Sequence, residues 1–217
     1  MKIVRLEKGL GECTVRASGV LRQGGVIIYP TDTLYGLGAD AFSDEAVAKV
    51  YAIKGRSEQK PIHCVVADLA MAEEYADVND AVRRLAEEFL PGPLTLVMRK
   101  KSRIDSGIAR GMDTIGVRIP NDEFCIELAK SFGKPYTATS ANKSEEVPHL
   151  SIEKIVGQLG DSIRLVDLVI DAGLLPLRAS STVVNVVSGL PVILREGAIS
   201  SRDILAIVDS VDAPPKT

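Results

Sequence analysis

The stretch GGVIIYPTDTLYGLG, residues 24–38, decides how the rest of the chain is read. Gly24 and Gly25 stop a helix that the pattern runs from Thr14 to Gln23. Val26–Tyr29 is then a short, wholly apolar strand, the composition of a strand buried on both faces. Such a strand needs helices on either side, so it predicts an α/β domain with some parallel pairing. Thr31, Asp32, Thr33 and Tyr35, followed by Gly36 and Gly38, stand just past its carboxyl end. Open α/β sheets bind ligands there, and a tight turn whose Thr and Asp satisfy local amides would use the same residues.

Outward from this strand the pattern repeats. Ser43 caps a helix with Val47, Val50 and Tyr51 inward and Gly55 as its stop, and Pro61 leads into a strand at Ile62–Val66. Asn79 caps a helix with Val82, Leu85 and Phe89 inward, ended by Pro91-Gly92-Pro93 before the strand Leu94–Met98. Further strands are predicted at Ile115–Ile119, Tyr136–Thr139, Leu168–Asp171, Thr182–Val187 and Val192–Leu194. Helices are predicted at Asp122–Phe132 and Ser151–Leu159, and Ser200 with Asp203 forms a capping box for a last helix through Val208. The late strand pair, joined through Ser188-Gly189, reads as a hairpin, so the sheet is mixed. No internal repeat is present. One domain over residues 1–208, with a flexible tail over 209–217, is the expectation.

Composition bounds the function. Of 217 residues 46% are hydrophobic and 25% charged, the balance of a globular domain. Lys+Arg 26 against Asp+Glu 29 gives −3, so no global positive field draws the chain to nucleic acid. Three widely spaced cysteines without a C-x-x-C pair suit a reducing cytosol and argue against a disulfide framework or zinc ribbon. Two histidines are too few for a His-rich metal site, and no metal ligand is assigned. No apolar run approaches the ~18 residues of a membrane span, and the start lacks a signal-peptide profile. A cytoplasmic protein without membrane contact is expected. The P-loop, dinucleotide and nucleophile-elbow patterns are all missing.

Chemistry-bearing residues gather instead where strands end. Lys54, Arg56 and Lys60 fall within seven residues, in an arrangement that serves either a helix dipole or a polyphosphate. Ser140 and Asn142, in TATSAN (137–142), read either as a turn or as phosphate or base contacts. Arg118 interrupts an apolar strand and Arg195 ends another; a buried arginine must be paired or face a ligand. Ser180-Ser181-Thr182 opens a further strand. The run Arg99–Arg103 is the composition of a solvated face or turn, with RNA contact the weaker reading. His63 alternates with apolar neighbours and reads as a half-buried core histidine.

Taken together, seven stretches in order resemble the YrdC/TsaC family of threonylcarbamoyl-AMP synthases. They are YPTDTLYGLG (29–38), KGRSEQKP (54–61), PGPLTLV (91–97), TIGVRIP (114–120), TSAN (139–142), SSTVVN (180–185) and ILREGAI (193–199). The resemblance implies a twisted mixed sheet with flanking helices around a deep, positively charged cavity. The implied nucleotidyltransferase reaction joins L-threonine, bicarbonate or CO2 and ATP into threonylcarbamoyl-AMP and pyrophosphate. Its product serves a downstream threonylcarbamoyl transferase complex that modifies the tRNA adenosine beside the anticodon.

By the same resemblance Lys54, Arg56, Ser140 and Asn142 surround the nucleotide, with Lys54 and Arg56 catalytic. Lys60, Thr114 and Arg195 lie near the ATP phosphates and ribose, and Thr33, Arg118 and Ser181 cradle threonine. Mg2+ accompanies ATP, held chiefly by phosphates and water. No general base is apparent, so catalysis is positioning and charge neutralisation.

Two departures stand out. Lys143-Ser144-Glu145 replaces the common L-S-G, and Val65 stands where some members carry a histidine. The length resembles the short form of the family. The rival from another class is a module contacting tRNA or double-stranded RNA without adenylation, against which the net charge and few aromatics count. A second rival is a larger carbamoyl transferase, whose accompanying segments are not seen here.

Overall fold

A computed structural model describes residues 1–55 and 60–209. The strands are β1 (Lys2–Arg5), β2 (Ile27–Tyr29), β3 (Gly36–Gly38), β4 (His63–Val65), β5 (Leu94–Arg99), β6 (Thr114–Arg118), β7 (Tyr136–Ser140), β8 (Leu168–Asp171), β9 (Thr182–Asn185) and β10 (Val192–Arg195). They form one twisted, mixed sheet in the order β1-β8-β2-β3-β7-β4-β6-β5-β9-β10. Parallel pairs such as β2–β8 and β4–β6 are mixed with antiparallel ones such as β2–β3 and β5–β6. The late hairpin is β9–β10, antiparallel as expected.

Helices α1 (Leu10–Arg22), α2 (Asp44–Lys54), α3 (Leu69–Tyr75), α4 (Asp80–Phe89), α5 (Glu123–Phe132), α6 (Ile152–Leu159) and α7 (Ser201–Asp209) flank the sheet. Their starts follow local chemistry. Ser43 accepts from the Ala46 amide, Asn79 from Val82 and Asp122 from Cys125. Ser200 accepts from the Asp203 amide and donates to its carboxylate, 2.7 Å away. Gly55 ends α2 with φ 56, the left-handed cap the sequence predicted.

Alternation along β2 builds the core on both faces, since neighbouring strand residues point to opposite sides. Ile28 joins Leu37, Val50, Leu85, Ile155 and Val184 in one apolar cluster. Ile27 and Tyr29 join Ala17, Leu21, Phe124 and Leu128 of α1 and α5 in the other.

Three of these strands and α-helices went unforeseen: β1, α3 and β3. The last is the instructive one, because Gly36-Leu37-Gly38 has the composition of a turn. It pairs antiparallel with β2, and its glycines make room for neighbours. A Cβ on Gly36 would stand 2.7 Å from Cζ of Tyr29, and one on Gly38 would stand 2.8 Å from Cγ1 of Ile27. The expected tail lies, from residue 210 on, outside the described residues. Among those described, no helix is long and apolar enough to cross a membrane.

Candidate active site

Strand ends and their loops enclose a cleft of about 340 Å3. Lys54, Lys60, Arg118 and Arg195 line it against one acidic lining residue, Glu145. Four cations facing one carboxylate make a site for an anion.

One end is built on the last turn of α2. Lys54 is only 3% exposed, and its ammonium donates to the main-chain oxygens of Ser140 (2.6 Å) and Asn142 (2.9 Å). It also reaches the side-chain oxygen of Asn142 at 3.1 Å, which accepts from the Ser140 hydroxyl at 2.5 Å. Asn142 Nδ2 in turn donates to the Glu146 carbonyl, closing the loop on itself. The ammonium of Lys60 meets Glu145 at 2.7 Å, with Glu145 in the left-handed region at φ 69. Arg56 lies outside the described residues.

The other end gathers two arginines. Arg118, at the end of β6, is 8% exposed and ion-paired through Nη2 with Asp32, itself buried in the loop after β2. The other carboxylate oxygen of Asp32 accepts from the Asn121 amide at 3.1 Å. Arg118 Nε is buried with no hydrogen-bond partner among the described residues. Arg195 donates through Nη2 to the main-chain oxygen of Ser181 (2.8 Å) and to its hydroxyl (3.3 Å). Burial, with Arg118 nearby, pulls the Arg195 guanidinium below its usual pKa. Two partly desolvated guanidiniums with one orphaned N–H call for an incoming anion.

Thr33 and Ser181 line the same end. Thr31 also lines the cleft, and its hydroxyl serves the loop, accepting from the Thr33 and Leu34 amides and donating to the Leu34 carbonyl.

The structure thus brings Lys54, Lys60, Ser140, Asn142, Arg195, Thr33, Arg118 and Ser181 to one cleft. Thr114 is not among its lining residues. It opens β6 opposite Arg99, ~13 Å along an extended strand from Arg118.

Sequence reasoning left out residues that the cleft includes. Thr95 faces Arg118 across β5–β6, is fully buried and shares a 3.0 Å hydrogen bond with the Ser181 hydroxyl. His63 lines the cleft, its ring lying over Gly116 so closely that a Cβ there would collide with it. The glycine after Ile115 was the available signal. Cys64 and Cys125 are fully buried, and that burial pushes Cys64 up to about 12 and Cys125 well above its ordinary value, so neither offers a ready thiolate. Among the described residues no cluster of three or more His, Cys, Asp or Glu could hold a metal ion.

A mixed sheet with flanking helices and a cationic, hydroxyl-lined cleft at its strand ends defines the class: an α/β domain. Residues 19–197 match the Sua5/YciO/YrdC family, described as telomere recombination, and the chain belongs to that family. It is 31% identical to the threonylcarbamoyl-AMP synthase of Pyrococcus abyssi over 98% of this chain and 62% of the relative. It is 38% identical to a putative threonylcarbamoyl-AMP synthase of Methanocaldococcus jannaschii, over 81% of each. The structure of P. abyssi Sua5 complexed with L-threonine superposes with a TM-score of 0.85 at 30% identity, covering 95% of this chain and 60% of that one. The chain thus spans about three-fifths of the Pyrococcus protein's length.

Proposed function

We propose that this chain is a cytoplasmic L-threonylcarbamoyladenylate synthase, a nucleotidyltransferase using L-threonine, bicarbonate or CO2, and ATP. The observation that carries the reading is the pair Arg118 and Arg195 in one cleft, with a buried, unmatched Nε–H on Arg118. A free amino acid offers the carboxylate such a guanidinium needs, and the L-threonine complex of a relative supports that class of ligand.

In this reading Thr33, Arg118 and Ser181 hold threonine, its carboxylate on Arg118. Lys54, Arg56, Lys60, Ser140, Asn142 and Arg195 surround the nucleotide, with Lys54 and Arg56 nearest the chemistry. Thr114 joins them only if the nucleotide or a neighbouring loop reaches that end of β6. The threonine amine loses a proton and takes up CO2 as a carbamate. A carbamate oxygen attacks the α-phosphate in line, and the bond to pyrophosphate breaks. The chain's cations offset charge on the phosphates and hold the two partners together. Mg2+ enters as part of the ATP substrate: Glu145 is engaged by Lys60, so the donor set fits an ion held by phosphates and water.

The product is a mixed anhydride that a transferase acting on tRNA would consume. The RNA-module alternative loses ground at the basic run. Lys100 pairs with Asp105, Lys101 with Asp77, and Arg103 donates to the Glu74 carbonyl, so these cations hold their own loop and tie it to the end of α3. The test is pyrophosphate release from ATP and bicarbonate, screened over all twenty amino acids. Release dependent on threonine supports the reading. Release with none of them, alongside salt-sensitive RNA binding, overturns it.

A further inference from the structure

Behind Arg118 runs a chain of contacts that the assignment of ligands leaves unexplained. Asp32 is 8% exposed and has both carboxylate oxygens engaged by donors, Arg118 Nη2 on one and the Asn121 amide on the other. Its main-chain oxygen accepts from Nη1 of Arg178 at 2.9 Å, although Arg178 itself is exposed. Arg178 sits in the segment between β8 and β9, so three distant parts of the chain meet at this one residue.

An arginine at a strand end has many rotamers, and a bidentate partner needs one of them. Asp32 selects it by taking Nη2 and leaving Nε without a partner. It also supplies the negative charge that lets Arg118 be buried close to Arg195. A carboxylate is required for this. An amide offers one acceptor and one donor, and here both positions face donors.

We propose that Asp32, anchored through its main chain by Arg178, is a positioning residue that aims Arg118 at the substrate carboxylate. The proposal rests on the reading of Arg118 as the threonine-carboxylate partner. Asp32 touches no substrate itself; it acts through the guanidinium.

The experiment is steady-state pyrophosphate release, with threonine and then ATP varied, on Arg178→Ala, Asp32→Asn and Arg118→Lys, beside thermal melts. Arg178→Ala removes an exposed side chain and one hydrogen bond, so the variant should still fold and melt cooperatively. Its KM for threonine should rise about threefold to tenfold while the KM for ATP stays put, as a small misplacement of a clamp predicts. Asp32→Asn should raise the threonine KM by more than about tenfold with the same selectivity. If Asp32→Asn fails to fold, Arg178→Ala alone decides.

An unchanged threonine KM in any folded variant of the two, or threonine and ATP KM values rising together, overturns the positioning role. Arg118→Lys separates the two levels. If it leaves the threonine KM unchanged, the carboxylate assignment has failed. If it raises that KM while Arg178→Ala does not, only the positioning inference has failed.

Discussion

Lys54 Nζ lies 2.9 Å from the main-chain oxygen of Asn142 and 3.1 Å from its side-chain oxygen. With the Ser140 carbonyl at 2.6 Å, the buried ammonium has as many acceptors here as it has protons. The lysine at the end of α2 therefore shapes the loop after β7 as well as charging the cleft. Lys54→Met keeps the length of the side chain but strips the donors from these acceptors. Unfolding free energy should fall by about 1–3 kcal/mol, the cost of leaving buried polar groups unmet. Urea denaturation monitored by circular dichroism measures it. An unchanged midpoint would assign Lys54 to ligand binding alone.

Across the cleft mouth, Glu145 holds Lys60, and it does so from a left-handed backbone that glycine adopts more readily. An incoming polyphosphate must displace this carboxylate or tolerate it. Glu145→Gln should therefore tighten ATP binding about two- to fivefold at low salt, a gain that shrinks as salt screens it. Hydrogen bonding and the charge of Lys60 hold the Glu145 carboxyl below its usual pKa. The pair is thus present above the ordinary glutamate range and is lost as pH falls through the lowered value. The advantage of the glutamine variant should persist at neutral pH and close only in acid. Calorimetry that finds equal ATP affinity at pH 7 would show that Glu145 does not compete with phosphate.

Gly36 and Gly157 offer an opposed pair. A Cβ on Gly36 meets the fully buried ring of Tyr29, whose hydroxyl donates to the Thr137 carbonyl at 3.0 Å. The ring has little room to yield, so Gly36→Ala should destabilise by about 1–3 kcal/mol through overpacking. Gly157 lies inside α6 with open space around it. Gly157→Ala should stabilise by up to about 1 kcal/mol from helix propensity. Denaturation midpoints that move the same way in both variants would refute the packing account of β3.

Local chemistry explains what could be read in the chain beforehand. Ser43, Asn79 and Asp122 announce their helices because each acts on an amide three residues on. Ile27, Ile28 and Tyr29 announce a two-faced strand because each position is apolar. Strand ends carrying Thr33, Ser140, Ser181 and Arg195 were legible for the same reason, and the fold gathers them. Long-range pairing was not legible. Asp32 looked like an ordinary turn residue, since its partner Arg118 stands 86 positions away and Arg178 stands 146 away. Gly36-Leu37-Gly38 hid a strand because its glycines answer to Tyr29, not to strand propensity. Thr114, chosen by motif, stands on a strand whose other end reaches the cleft.

Arg118 provides the sharpest test of the substrate. If its unmatched Nε–H and charge receive the carboxylate of threonine, an amino acid without a free carboxylate should not support pyrophosphate release. Threonine methyl ester keeps the amine, hydroxyl and methyl but brings no carboxylate to the buried Nε–H of Arg118, so it should fail. Serine lacks one methyl group, worth ~1–3 kcal/mol in a fitted pocket, and should lose a modest factor. Valine keeps the shape but offers nothing to hydroxyls such as Thr33 and Ser181 that line this end. It should fare worse than serine, because it forgoes whatever hydrogen bond the substrate hydroxyl makes with them. Arg118→Lys should not restore turnover, since an ammonium cannot reproduce the planar fork. The measurement is pyrophosphate release at saturating ATP and bicarbonate with each amino acid in turn. Methyl ester turning over as fast as threonine would remove Arg118 from the substrate and leave its buried charge with Asp32 as a structural pair alone.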